Sequence, residues 1–186
     1  MVERIPLVMV RPDLGDLSFV ALPTGYSWRL FSDGDDERWA DIETRAGEFA
    51  STAKASEHFA KEFGPHIEQM KSRCLFVVED ASRVPVGTAT AWYGTWDAVH
   101  QGRLHWVGLV PELHGRGIGK ALVSLSMQHM ASLHSRAFLT TQTTSYVAVS
   151  IYLDFGFLPA LHSPECRRGW NLIESLLERR NLSSDM

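Results

Sequence analysis

Apolar and polar positions recur regularly enough along the chain to divide it into elements before any chemistry is considered. Residues 7–10, Leu-Val-Met-Val, form a short apolar run that predicts an edge strand. The run lies in a stretch, 1–24, punctuated by Pro6, Pro12, Gly15 and Pro23, which reads as an extended arm on the domain. Residues 26–31 predict the first clear strand. Asp33-Gly34-Asp35-Asp36 supplies turn and N-cap chemistry for a helix to about residue 47. Ser51-Thr52 opens a second helix, stopped near residue 63 by Gly64-Pro65, and a short helical turn follows through 71. Apolar runs at 74–79 and 86–93 predict a hairpin with a longer loop. Residues 104–110 are bulky on both faces, as a central strand covered on both sides would be. Ile118, Leu122 and Leu125 follow helical spacing, and Val123, Met127 and Met130 widen the stripe, so a long helix is predicted over 116–135. A strand at 137–141, a helix at 145–154 ended by Gly156, a short strand at 157–161 and a terminal helix at 164–180 with a polar tail complete the pattern.

Composition narrows the class. A chain of 186 residues is most simply one folded unit with a sizeable core. Its net charge of −4 argues against a broad nucleic-acid or anionic-membrane surface. No apolar run approaches the length of a membrane span, and the N-terminus lacks a signal-peptide core. Cys74 and Cys166 lie far apart without metal-like spacing, which reads as reduced thiols in the cytoplasm. His129 and His134, five apart on a helix, do not share a face, so no metal site is expected.

The chemistry concentrates in Leu109-Val110-Pro111-Glu112-Leu113-His114-Gly115-Arg116-Gly117-Ile118-Gly119-Lys120. An apolar strand ends there, three alternate glycines follow, and a helix begins. Such a turn gathers backbone N–H groups around an anion, with the helix N-terminus adding partial positive charge. The glycine spacing is one residue short of a P-loop, and Ala121 stands where a metal-binding hydroxyl belongs. The dinucleotide fingerprint also fails: the run is G-x-G-x-G, and residues 137–142 carry no carboxylate.

Val110, Pro111, Gly117, Gly119 and Leu122 together resemble the acyl-CoA loop of the GNAT N-acetyltransferase superfamily. A second block, Ala148-Val-Ser-Ile-Tyr152-Leu-Asp-Phe-Gly156-Phe157, is similar to a segment of the same family at the right distance downstream. Two departures are His114, where that family usually has Gln or Arg, and Ser145, where Asn often begins the second block. The resemblance implies an α/β fold of the mixed α+β kind: a twisted mixed sheet, helices on both faces, and two splayed central parallel strands that admit the cofactor. It covers roughly 25–161, leaving the arm 1–24 before it and a C-terminal helix and tail, 162–186, packed on the same domain. The family's sheet is usually closed by a seventh strand. Here the terminal region reads as helical, so that strand is absent, or the N-terminal arm or a partner subunit supplies the edge.

The same resemblance implies acetyl-CoA as co-substrate and direct attack by an amine in a ternary complex. Backbone groups of Leu109 and Val110 would meet the acyl and pantetheine part. Residues His114, Gly115, Arg116, Gly117, Ile118, Gly119 and Lys120 would hold the phosphates, and Ser145, Ala148 and Tyr152 would line the cofactor from the second block. Tyr152 is the candidate general acid for the departing thiolate. The family's usual glutamate before the Gly-rich loop is missing, and His105, which titrates near neutrality, is the candidate base. Asp97 and His100 are weaker ones. Trp92, Tyr93 and Trp96, or the early helices around Glu43, Glu48, His58 and Phe59, are candidates for the acceptor pocket. Three functions follow for test: an N-acetyltransferase acting on a small-molecule or protein amine, an inactive acyl-CoA sensor or scaffold, and, against the spacing, a nucleotide-binding domain. A homodimer is expected if a sheet edge is open.

Overall fold

Capping and breaking residues set the helix boundaries. Ser51 accepts a hydrogen bond from the Lys54 amide and starts α2 (Thr52–Glu62); Gly64 and Pro65 then separate it from α3 (Ile67–Arg73). Ahead of them, α1 spans Asp36–Arg45. Ser163 caps α6 (Pro164–Leu177) in the same way, with Pro164 at the first helical position. The computed structural model describes residues 2–178 and residue 182, so the part of the expected terminal helix and tail at 179–181 and 183–186 lies outside the described residues. Between these helices run β1 (Pro6–Arg11), β2 (Tyr26–Leu30), β3 (Cys74–Glu79), β4 (Pro85–Trp96), β5 (Val99–Leu109), α4 (Ile118–Ala131), β6 (Ala137–Gln142), α5 (Tyr146–Asp154) and β7 (Leu158–Pro159). Helix α4 starts two residues later than predicted because Gly117, at φ 79°, caps it in a left-handed conformation that no helix interior accepts, and it ends at Ala131, short of the predicted 135.

The strands form one mixed sheet in the order β2-β3-β4-β5-β6-β1-β7. The Leu7–Val10 run is a strand, but not an edge strand. β1 lies between β6 and β7, antiparallel to both, with Leu7 opposite Thr141 and Met9 opposite Pro159. Its side chains are core: Leu7 and Met9 are buried, and α6 approaches β1 so closely at Gly169 that an added Cβ would stand 2.8 Å from Leu7 Cδ2. The N-terminal strand therefore brings the sheet to seven strands from an interior position, and β7 takes the edge. The segment that follows β1 crosses α4, where Leu14 N–H bonds Ser135 O and Val20 N–H bonds Ser124 Oγ. That strap covers one side of α4 and explains why α4 buries Ser124 along with its apolar stripe.

Two apolar clusters fill the molecule. One joins Trp39, Ile42, Phe59, Phe63 and Met70 of α1–α3 to β3 and β4; the other joins Met127, Met130, Val149, Tyr152, Phe157, Trp170 and Ile173 to β1 and β6. The β4–β5 hairpin is longer than predicted. It closes through Asp97 and Ala98 at φ 50° and 59°, the positive pair of a tight two-residue turn. His100 therefore lies on β5, beside Tyr93, not in a loop.

Candidate active site

The parallel neighbours β5 and β6 are paired only at Gly102↔Ala137 and Arg103↔Phe138. Beyond Arg103 they part: β6 continues along β1 while β5 continues along β4. The result is a wedge with the backbone of 104–109 on one wall. Along β5 the register to β4 slips: Thr88 faces Gly108 and Thr90 faces His105, two steps on β4 against three on β5. This bulge is centred on Trp106, at φ 48°, a conformation that costs a non-glycine residue about 1 kcal/mol. A bulge turns two successive side chains to one face. His105 and Trp106 accordingly both pack toward α1 and α2, against Phe63 and against Trp39, Phe49 and His58.

Glu62, near the end of α2, organises this face. One carboxylate oxygen accepts from His105 Nε2 at 2.7 Å; the other accepts from Trp106 Nε1 at 2.9 Å and His58 Nε2 at 2.8 Å. Burial alone would raise its pKa, but the hydrogen bond and charge of His105, with the bonds from Trp106 and His58, bring it down to about 2. Burial holds His105 below the usual histidine value, against the opposing pull of Glu62. At neutral pH its imidazole is thus neutral, with Nε2–H given to Glu62 and the Nδ1 lone pair unprotonated. The sequence pattern does not announce Glu62, which lies 43 residues from His105 and reads as an ordinary charge at a helix end.

At the mouth of the wedge the Gly-rich turn leads into α4. Gly115 and Gly117 have φ 75° and 79°, and a Cβ at either would meet nothing within 4 Å. The first intrahelical bond on α4 is Ala121 N–H to Gly117 O. Among the described residues, the amides of Arg116, Gly117, Ile118, Gly119 and Lys120 meet no acceptor, leaving an amide cluster at the start of α4 fit for a phosphate. Gly119 keeps the loop close to both walls: its Cβ would stand 3.7 Å from Leu109 Cδ2 and 3.9 Å from Ile151 Cδ1. The Arg116 side chain is exposed, whereas Lys120 Nζ is 3.1 Å from Asp154 Oδ2, tying α4 to α5.

The other expected residues divide. Leu109 presents its backbone to the wedge, since its neighbour Val110 points the opposite way and spends its N–H on Val86 O at 3.0 Å. The Val110 amide is therefore already engaged. His114 turns its ring back onto Leu109 O at 3.1 Å, bracing the loop. Ser145 occupies the N-cap of α5 without bonding its backbone; its hydroxyl accepts from Gln142 Nε2 at 2.8 Å. Tyr152, on the same helix as Ala148, is buried against Phe157, and burial together with the charges of Glu43 and Glu48 pushes its hydroxyl pKa up. Asp97 and Trp96 sit at the hairpin tip, at the closed end of β5. Trp92 packs on Phe63, one ring away from His105. Among the described residues no group of three or more potential ligands is placed to hold a metal.

A parted strand pair, a bulged wall and a glycine turn opening a helix are together a family's signature, and the acetyltransferase (GNAT) family model matches residues 36–157. The chain belongs to the GNAT family. It is 32% identical over 142 residues to a mycothiol acetyltransferase of Kytococcus sedentarius, covering 70% of this chain and 46% of that one. It is 28% identical over 150 residues to the mycothiol acetyltransferase of Streptomyces griseus, covering 76% and 46%. The chain thus spans about half the length of the curated relatives it matches. Among solved structures, a GCN5-related N-acetyltransferase from Sphaerobacter thermophilus superposes with TM-score 0.65 at 23% identity, over 84% of this chain and 49% of that one. A tandem GNAT protein from the clavulanic acid biosynthesis pathway gives 0.61 at 15% identity, over 84% and 50%. In this GNAT chain the matched span runs from α1 to Phe157, so β1 and the strap lie outside it.

Proposed function

We propose that the chain is an N-acetyltransferase that moves an acetyl group from acetyl-CoA to a primary amine. The observation that carries the reading is the wedge: β5 and β6 part immediately before the bulge, and the glycine turn with its unengaged amides stands at the opening. Acetyl-CoA supplies a thioester, whose acyl carbon needs a neutral amine beside it, donors at its oxygen and a proton for the leaving sulfur. The amides of 116–120 are the phosphate holders in this reading, and the Leu109 N–H, turned into the wedge, is the donor to the acyl and pantetheine portion. Tyr152 keeps its proton at neutral pH and is the proton donor to the thiolate. His105, neutral and oriented by Glu62, takes a proton from the acceptor nitrogen at Nδ1. Much of the rate comes from positioning the amine against the thioester.

The relatives named mycothiol acetyltransferase make a mycothiol-related acceptor the first to try. Cytoplasmic action is part of the reading, in keeping with two buried, unpaired thiols. The test is release of free thiol from acetyl-CoA against a panel of primary amines, with mass detection of the acetylated product. Transfer to at least one amine, lost with Tyr152→Phe, is the expected result. Tight acetyl-CoA binding without transfer to any amine would leave the sensor or scaffold reading instead.

A further inference from the structure

The start of β5 and the turn between α4 and β6 enclose a hollow of about 500 Å³, whose lining includes His100, Gln101, His134 and Arg136. That volume falls in the range of about 300–1,000 Å³ that small-molecule sites occupy. The hollow is not the mouth of the wedge. β5 is 11 residues long, so its two ends stand roughly 30 Å apart, and the glycine turn follows the other end. Between the two, the sheet is shut where Gly102 pairs with Ala137 and the Gly102 N–H donates to Arg136 O at 3.1 Å. Arg73, at the end of α3, reaches the hollow through His134. Its half-buried guanidinium lies 4.8 Å over the Tyr93 ring and donates to Ala91 O at 3.0 Å and to His134 Nε2 at 3.2 Å. An arginine donates and never accepts, so Nε2 is the accepting nitrogen of His134 and Nδ1 carries the ring proton. Burial, with Arg73 and His100 nearby, holds this imidazole below the usual histidine value, so the ring is neutral at neutral pH. Its Nδ1–H meets no acceptor among the described residues, and none of Arg73, His100, His134 and Arg136 makes an ion pair there. Taking a guanidinium partly out of water without a carboxylate beside it is costly.

We propose that this hollow is a second ligand site and that it takes the phosphate group of a small phosphate monoester. The charges select a dianion. Arg73 and Arg136 are two permanent positive charges, no carboxylate pairs with either among the described residues, and a phosphate monoester carries about −1.5 to −2 at neutral pH. The donors suit the same group. A guanidinium fork binds phosphate oxygens two at a time, and the second terminal nitrogen of Arg73 has no protein acceptor. His134 adds its Nδ1–H. Because its lone pair is spent on Arg73, the ring turns no acceptor toward an anion. The rest of the volume is room for the organic part of the ester. His100 and Gln101 lie on β5 and His134 and Arg136 on the approach to β6, so the occupant bridges the two strands at the point where the wedge begins. The site stands on its own charges and shape, whatever the wedge binds.

The test follows the His100 and His134 ring signals of the full chain by NMR while glycerol 3-phosphate is added at constant pH. His100→Gln and His134→Gln assign the signals; glycerol is the neutral control and acetate the singly charged one. Saturable shifts of both rings with glycerol 3-phosphate, none with glycerol, and weaker binding of acetate are the expected result. Arg136→Ala removes an exposed side chain whose backbone alone serves the sheet, so the variant folds, and it is expected to weaken glycerol 3-phosphate about tenfold or more. Arg73→Lys, which keeps the charge and loses the fork, is expected to weaken it as well. Rings that do not move overturn the proposal, as does an Arg136→Ala protein that binds as tightly as wild type. Acetate bound as tightly as the ester overturns the choice of a dianion. Excess acetyl-CoA is expected to leave the shifts in place; if it abolishes them, the phosphate sits at the glycine turn and the second site is refuted. Inorganic phosphate is titrated in parallel. Affinity equal to that of the ester assigns the site to the phosphate group alone, and weaker affinity assigns the organic part a share.

Discussion

Four residues carry consequences that single substitutions can read. Tyr152 holds its proton because it is buried, so Tyr152→Phe is expected to lower kcat by about 100-fold or more while leaving acetyl-CoA affinity nearly unchanged in calorimetry. Glu62 is ionised in the fold down to about pH 2. A depressed carboxylate stabilises the fold above its unfolded pKa and loses that contribution as pH falls through the folded one. Acid unfolding curves are therefore expected to show a contribution lost between about pH 4.5 and 2, at most about 3 kcal/mol, which Glu62→Gln abolishes. If Glu62 also fixes the imidazole, Glu62→Gln displaces the neutral limb of the kcat/KM pH profile, whereas His105→Ala removes it; an unmoved limb in both would take His105 out of the reaction. Gly117→Glu places a side chain at φ 79° and a negative charge among the loop amides. Strain of about 1–2 kcal/mol leaves the fold intact by circular dichroism, and acetyl-CoA binding is expected to vanish from the calorimetric trace.

At the level of elements, β1 does more than an arm would. It completes the sheet between β6 and β7 and holds β6 on the edge away from β5. One side of the wedge thus rests on a strand far from it in sequence. Met9 is 0% exposed at the centre of β1, and Met9→Asp buries an unpaired charge, with an expected loss of several kcal/mol. The measurable result is a much lower denaturation midpoint, together with weaker acetyl-CoA binding as β6 is released. Equal acetyl-CoA binding in a folded Met9→Asp protein would separate β1 from the wedge. The bulge on β5 is the second decisive element. By turning His105 and Trp106 to one face it presents both to a single carboxylate, Glu62.

For the whole molecule, the proposed cofactor is bound by the folded wedge and turn and not by the unfolded chain, so it stabilises by mass action. At 100 times its dissociation constant, acetyl-CoA is expected to add about 2.7 kcal/mol, a rise of roughly 5–10 °C in Tm for a chain of this size. NAD and ATP at the same concentration are expected to give a smaller shift, and an equal shift would count against the acyl-CoA reading. No described helix is long and apolar enough to cross a membrane.

Most elements and the glycine turn were legible because they depend on local rules, whereas Tyr152 was singled out by the family resemblance. Helical spacing, cap residues and three glycines before a helix are written within a few positions of one another. Local rules did not give the insertion of β1 between β6 and β7, since strand pairing across more than a hundred residues leaves no mark in the strand itself. Nor did they give the bulge at Trp106, the occupied amide of Val110, the Glu62–His105 bond or the burial of Glu43 against Gly108. Each of these depends on which distant segment packs against which. The chain by itself determined the family's loop and the kind of chemistry it serves. Tertiary packing decided which carboxylate stands against the bulged strand, Glu62, and in what state, because burial and partners, not residue type, set a carboxylate's charge.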